Sequence, residues 1–209
     1  MLVIYYDNPN EASDMYLKWL IKDCEKWGID YKVVKDYNEF TILWRKHLDD
    51  QEYVSAILPL MPVKDVAIIH FLEVFGSLDV DNVAGGDYFT DATAYGIYDY
   101  IRLNYTDRRT AIAVIGRGKV GSALIDMLIG YGYTVYEFNS KSHYYDMYDV
   151  IRDYSNVAVG LSTETVFGAD YCEVLNRNGV KLIDASNTFN TKDKLRCGKW
   201  TRGVILGRV

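Results

Sequence analysis

At 209 residues and 24.0 kDa the chain is long enough for one large domain or two small ones. With 49% apolar and 25% charged residues it has a globular composition, and no apolar run approaches the ~20 residues of a membrane span. A formal charge of -6 argues against non-specific nucleic-acid binding, and an anionic ligand would need local cations.

The opening MLVIYYDNPN lacks the basic flank and small-residue cleavage site of a signal peptide, so a cytoplasmic protein is expected. LVIYY (2–6), YKVV (31–34) and SAILPL (55–60) read as buried strands. Met15, Leu17, Leu20, Ile21 and Cys24 have helical spacing between the first two. The stretch 78–96, rich in Gly, Asp and Thr, breaks the alternation and is taken as the domain junction, and 93–105 reads as a linking helix. Beyond it come IAVIG (112–116), a helix through Leu124, Ile125 and Leu128, then YTVYEF (133–138), VAVGL (157–161) and KLIDA (181–185). Strand–helix alternation predicts α/β architecture with parallel sheets. Two lobes are expected: an N-terminal βαβ-type lobe over 1–90 and a Rossmann-like, dinucleotide-binding lobe over 91–209, with ligand in the cleft between them.

Gly116, Gly118 and Gly121 satisfy G-x-G-x-x-G after a predicted strand and at the start of a predicted helix. In a dinucleotide site Gly116 would permit the tight turn, Gly118 the approach of a pyrophosphate to backbone, and Gly121 close strand–helix packing, with amides near Lys119 facing the anion. The same glycines would serve a plain strand-to-helix turn. Glu137 points to core or ligand depending on one residue of register. The tail NSKS (139–142) offers Ser140 and Lys141, which suit the 2′-phosphate of NADP but also a solvated loop. Thr163 lies where a fourth-strand loop touches cofactor or where a helix is capped.

Cys24, Cys172 and Cys197 have neither disulfide-framework nor zinc spacing and are read as reduced and structural. His47, His70 and His143 are isolated, so no metal site is expected. Asp79 and Asp81 could pair for acid–base work, although a short acidic loop more often bonds its own backbone. Asp79 is therefore read as structural and Asp81 as a ligand contact. Tyr16, Trp19 and Trp27 could all be core packing, and for Tyr16 a functional and a core role stand equal on the residues alone.

The ordered set NPNEASDMYLKWLIKDCEKWGI (8–29), ILPLMP (57–62), LDVDNV (78–83), DATAYG (91–96) and VIGRGKVG (114–121) resembles the FolD family, the methylenetetrahydrofolate dehydrogenase/cyclohydrolases. The likeness runs to GKWTRGVILGRV, although each motif is degraded. The resemblance implies NADP-dependent oxidation of 5,10-methylenetetrahydrofolate to the methenyl form, with a folate substrate. It also implies that Tyr16 matches the active-site tyrosine, Asp81 the pterin-binding carboxylate, and Arg117 and Ser140 the 2′-phosphate contacts. An ionised carboxylate can accept two side-by-side N–H groups of a pterin.

The departures are specific. The family's catalytic lysine falls at residue 20, here Leu20, and its glutamine at residue 57, here Ile57. Lys18 and Lys22 each sit about 200° around the helix from Leu20. The cyclohydrolase step is therefore expected to be lost, while hydride transfer, which depends on ring placement, survives. The family pattern continues into a P-V-P-G-G-V-G-P-M-T loop and a final helix, whereas this sequence stops at Val209. Part of the cofactor and substrate wall is thus expected to be missing, and bare apolar surface on the first lobe to favour a homodimer. Two rivals stand beside this reading. One is a catalytically inactive dinucleotide-binding homologue with a regulatory or interaction role. The other is a shikimate-dehydrogenase-like enzyme, which would want a Lys–Asp pair in its cleft.

Overall fold

The computed structural model describes residues 1–209. Its first sheet is formed by β1 (Leu2–Tyr5), β2 (Tyr31–Val34) and β3 (Ala56–Pro59), all parallel, in the order β2-β1-β3. Every β1 side chain is buried, as a central parallel strand requires, and β2 at the edge is only half-buried. α1 (Glu11–Trp27) starts on a capping box in which Asn10 accepts from the Ser13 amide and the Ser13 hydroxyl from the Asn10 amide. It ends at Gly28, whose φ of 66° closes the C-terminus in the left-handed conformation. The β1 pleat divides the core: Leu2 and Ile4 pack with Leu20 and Cys24 of α1, and Val3 and Tyr5 with Phe40 and Leu43 of α2 (Tyr37–Leu48) and Ile68 and Leu72 of α3 (Ala67–Val74).

The second sheet is also wholly parallel, in the order β5-β4-β6-β7-β8. Its strands are β4 (Ala111–Ile115), β5 (Thr134–Phe138), β6 (Val157–Gly160), β7 (Lys181–Asp184) and β8 (Leu195–Arg196). On one face Ile112 and Val114 meet Ala94, Ile97 and Ile101 of α4 (Ala92–Asn104) and Leu124 and Leu128 of α5 (Lys119–Tyr131). On the other, Ala113 and Ile115 meet Met147 and Ile151 of α6 (Tyr144–Tyr154) and Cys172 and Leu175 of α7 (Ala169–Arg177). Strand order reverses at β4: the first crossover lays β5 on one side and the next lays β6 on the other, a topological switch point. Many of the tyrosines serve as packing at this sheet's rim, Tyr144 stacked on Phe167 and Tyr148 edge-on to Tyr171.

Two compact units result, Met1–Ala92 with Arg202–Val209, and Thr93–Thr201. Residues 202–209 count with the first unit, whereas strand–helix alternation alone would leave them with the second. The reason is packing: in α8 (Gly198–Leu206), Ile205 and Leu206 join the cluster of Leu2, Leu20 and Val80, and Arg202 Nε lies 2.6 Å from Asp23 Oδ2. No helix is long and apolar enough to cross a membrane.

Candidate functional site

In the second unit the glycine turn is shaped by three different steric demands. Gly116 has a φ of 110°, and a Cβ there would stand 2.8 Å from the Leu161 carbonyl carbon. Gly121 is buried one turn into α5, where a Cβ would press on the Gly116 carbonyl group, 2.9 Å from its carbon. Gly118 is the N-cap of α5 with ordinary extended backbone, and a Cβ there would meet nothing within 4 Å. Gly116 and Gly121 are thus glycines for the fold, while Gly118 leaves open space beside its backbone. The first α5 hydrogen bond runs from the Ser122 amide to the Gly118 carbonyl at 2.9 Å, and no side chain caps the helix.

A cavity of about 330 Å³ opens at this turn. It is lined by Gly116, Arg117 and Gly118 after β4, Asn139 and Ser140 after β5, and Leu161 to Glu164 after β6. All three segments follow the carboxyl ends of strands flanking the switch point, where open α/β sheets bind ligands. Of the residues singled out from the sequence, Gly116, Arg117, Gly118, Ser140 and Thr163 come together here. Lys119, Gly121 and Lys141 do not line the cavity: Gly121 is behind the turn, and Lys119 and Lys141 are exposed. Thr163 caps no helix; it is Ser162 whose hydroxyl accepts the Glu164 and Thr165 amides.

Glu137 is exposed and ion-pairs with Arg117, Nε to Oε2 3.4 Å, which resolves its register toward solvent. Asn139, Ser162 and Glu164 were not singled out from the sequence, because polar residues after a strand carry no periodic signal. The uncapped amide end of α5, the open flank of Gly118 and the Arg117 guanidinium fit a nucleotide diphosphate, with Glu164 the acidic exception on the wall.

The loop after β7 holds a Lys–Asp pair. Asp184 is fully buried and accepts the amides of Ser186, Thr188 and Phe189, and Lys194 Nζ lies 2.5 Å from its Oδ2 while donating also to the Phe189 carbonyl. Thr188 in turn donates to the Ser162 carbonyl at 2.8 Å. The pair is saturated by loop backbone, so it is a clamp that carries the cavity wall.

In the first unit, Asp79 is buried and accepts the amides of Val83 at 2.9 Å and Ala84 at 2.7 Å, closing the loop that follows α3. Asp81 differs: its Oδ1 is buried with no hydrogen-bond partner. Burial, then the nearby Asp91 and Asp79 carboxylates, push its pKa up to about 7 against the lowering effect of the Ala92 amide and Arg208. Tyr16 is half-buried on α1, and the Arg202 guanidinium sits 5.9 Å from its ring centre and 5.4 Å from that of Trp19. Leu20 and Ile57 are fully buried in separate apolar clusters. The cysteines are buried and unpaired, and no cluster of three or more His, Cys, Asp or Glu side chains could hold a metal ion.

No protein-family model and no curated protein matches the chain. Solved structures do. The bifunctional 5,10-methylenetetrahydrofolate dehydrogenase/cyclohydrolase of Thermoplasma acidophilum aligns with a TM-score of 0.69 at 19% identity, over 99% of this chain and 86% of that one. The NAD-dependent 5,10-methylenetetrahydrofolate dehydrogenase of Saccharomyces cerevisiae gives 0.72 at 19%, over 99% and 84%. The Trypanosoma brucei FolD enzyme, solved with NADP and an inhibitor, gives 0.68 at 15%, over 99% and 83%. The chain therefore has the two-unit α/β fold of the FolD-type methylenetetrahydrofolate dehydrogenase/cyclohydrolases.

Proposed function

We propose that this protein oxidises 5,10-methylenetetrahydrofolate to the methenyl form with NADP and does not carry the cyclohydrolase step. The observation that carries the folate assignment is the buried Asp81 Oδ1 without a protein partner, on a chain of FolD-type fold. An orphaned buried carboxylate oxygen costs stability, and a pterin N–H would satisfy it. Tyr16 would pack against the substrate from α1, its ring braced by Arg202.

NADP, when bound, supplies the hydride acceptor. Gly118 and the α5 amides near Lys119 would receive its diphosphate, at the tight turn that Gly116 makes and Gly121 keeps close to the helix; the Gly116 amide itself donates to the Phe138 carbonyl at 2.9 Å. Arg117 and Ser140 would hold the 2′-phosphate with Lys141 nearby, and Thr163 would line the wall. Glu137, by engaging Arg117 Nε, leaves the terminal guanidinium nitrogens to face a phosphate. Leu20 and Ile57 supply no group that could activate water or stabilise an oxyanion, which supports loss of the hydrolytic step.

The test is an absorbance assay for reduced nicotinamide with methylenetetrahydrofolate and either NADP or NAD, with methenyl hydrolysis followed separately. Turnover with NADP and hydrolysis no faster than the uncatalysed rate is the expected result. Stabilisation by NADP without turnover would favour a catalytically inactive dinucleotide-binding homologue, the reading to which the same buried Leu20 and Ile57 lend support.

A further inference from the structure

The segment from 202 onward places two arginines against the first unit, and they engage different things. Arg202 pairs with Asp23 and lies over Trp19 and Tyr16, all on one face of α1. Arg208 turns to the acidic loop: its Nη1 donates to the Val80 carbonyl at 2.6 Å, and its guanidinium lies 4.8 Å from the centre of the Phe89 ring. One side chain thus touches the residue before Asp81 and the residue two before Asp91, tying together both ends of the stretch that contains the orphaned oxygen.

The groups acting on Asp81 are few. Asp79 and Asp91 are like charges, the Ala92 amide is a donor, and Arg208 is the cation. Asp79 is already committed to the Val83 and Ala84 amides and cannot turn away. Ligand N–H groups need an ionised acceptor, so whatever favours the charged form of Asp81 favours binding.

We infer that Arg208 is a positioning residue for the Asp81 carboxylate, fixing the backbone at Val80 and supplying a positive charge that opposes protonation of the buried acid. The inference rests on Asp81 being a ligand carboxylate, and its test separates the two ideas. The Asp81 side-chain carbon is titrated by ¹³C NMR in the full-length ligand-free protein and in R208M, R208Q, R208K and R202M. The neutral variants should move the Asp81 midpoint measurably up, R208K should restore most of it, and R202M should leave it in place. R208Q keeps a donor for the Val80 carbonyl, so it serves if R208M does not fold.

Folate affinity, measured by calorimetry, should rise about tenfold per unit increase in pH below the wild-type midpoint and level off above it, and the plateau should be reached at higher pH in R208Q. A fixed midpoint in R208Q, or an equal shift in R202M, would show that Arg208 merely anchors the chain and would overturn the inference. A shifted midpoint with no folate bound by wild type at any pH would leave the Arg208–Asp81 coupling standing and remove the folate reading.

Discussion

Replacing Gly118 by Ala separates nucleotide binding from folding at the glycine turn. The new methyl group would find nothing within 4 Å, and the Gly118 φ of -74° suits alanine. Loss of unfolded-state freedom favours the variant by ~0.4–1 kcal/mol, and alanine's poor N-cap character costs about as much. Net stability should stay within about 1 kcal/mol, or ~2–4 °C in Tm for a chain of this size. A methyl on that open flank blocks approach to the backbone, so NADP affinity should fall at least about tenfold, ~1.4 kcal/mol. G121A is the counterpart: its Cβ would collide with the Gly116 carbonyl group, an overpacking that costs ~1–3 kcal/mol and lowers Tm whether or not ligand is present. Differential scanning calorimetry and isothermal titration with NADP read both effects. Unchanged NADP affinity in G118A would refute the placement of the diphosphate at this turn.

Other outcomes can be checked with the same instruments. R117M should weaken NADP binding far more than NAD binding, and E137Q, which releases the guanidinium, should alter the NADP-to-NAD affinity ratio several-fold; equal effects on both coenzymes would remove Arg117 from the 2′-phosphate site. Asp81 takes up its proton more readily folded, with a pKa of about 7, than unfolded, near 4, so the stability contributed by its protonated form is complete below about pH 4 and is lost as pH rises to about 7. D81N should consequently raise Tm at pH 8 by an amount that shrinks toward pH 4, while abolishing folate turnover; a Tm gain independent of pH would contradict this. K194M leaves the buried Asp184 charge with its three loop amides but no cation and should cost up to ~3–5 kcal/mol, seen as a lowered Tm.

Most of the strands were legible because buried parallel strands are continuous apolar runs: each of the seven runs named contains a strand, with ends within about one residue. β8 was not, since Leu195–Arg196 offers one apolar residue and pairs only because the Lys194–Asp184 clamp brings it beside β7. The glycine turn was legible for the same local reason, that three glycines in five spacings answer to backbone geometry. What surrounds it was not: Asn139, Ser162 and Glu164 reach the cavity through the ends of β5 and β6, which only the strand order brings together. Asp81 could be named as a carboxylate of interest from the sequence. Its burial and missing partner depend on Ala92, Asp91 and Arg208, the last of them more than a hundred residues away.

The first unit is assembled from two stretches, Met1–Ala92 and Arg202–Val209, with all of Thr93–Thr201 synthesised between them. Ile205 and Leu206, which close the cluster around Leu2 and Leu20, therefore leave the ribosome only after the whole of the second unit. A nascent chain holds that half unfinished and greasy while its other half is already able to fold, and a fragment ending at Ala92 would be left in the same condition, prone to capture by chaperones.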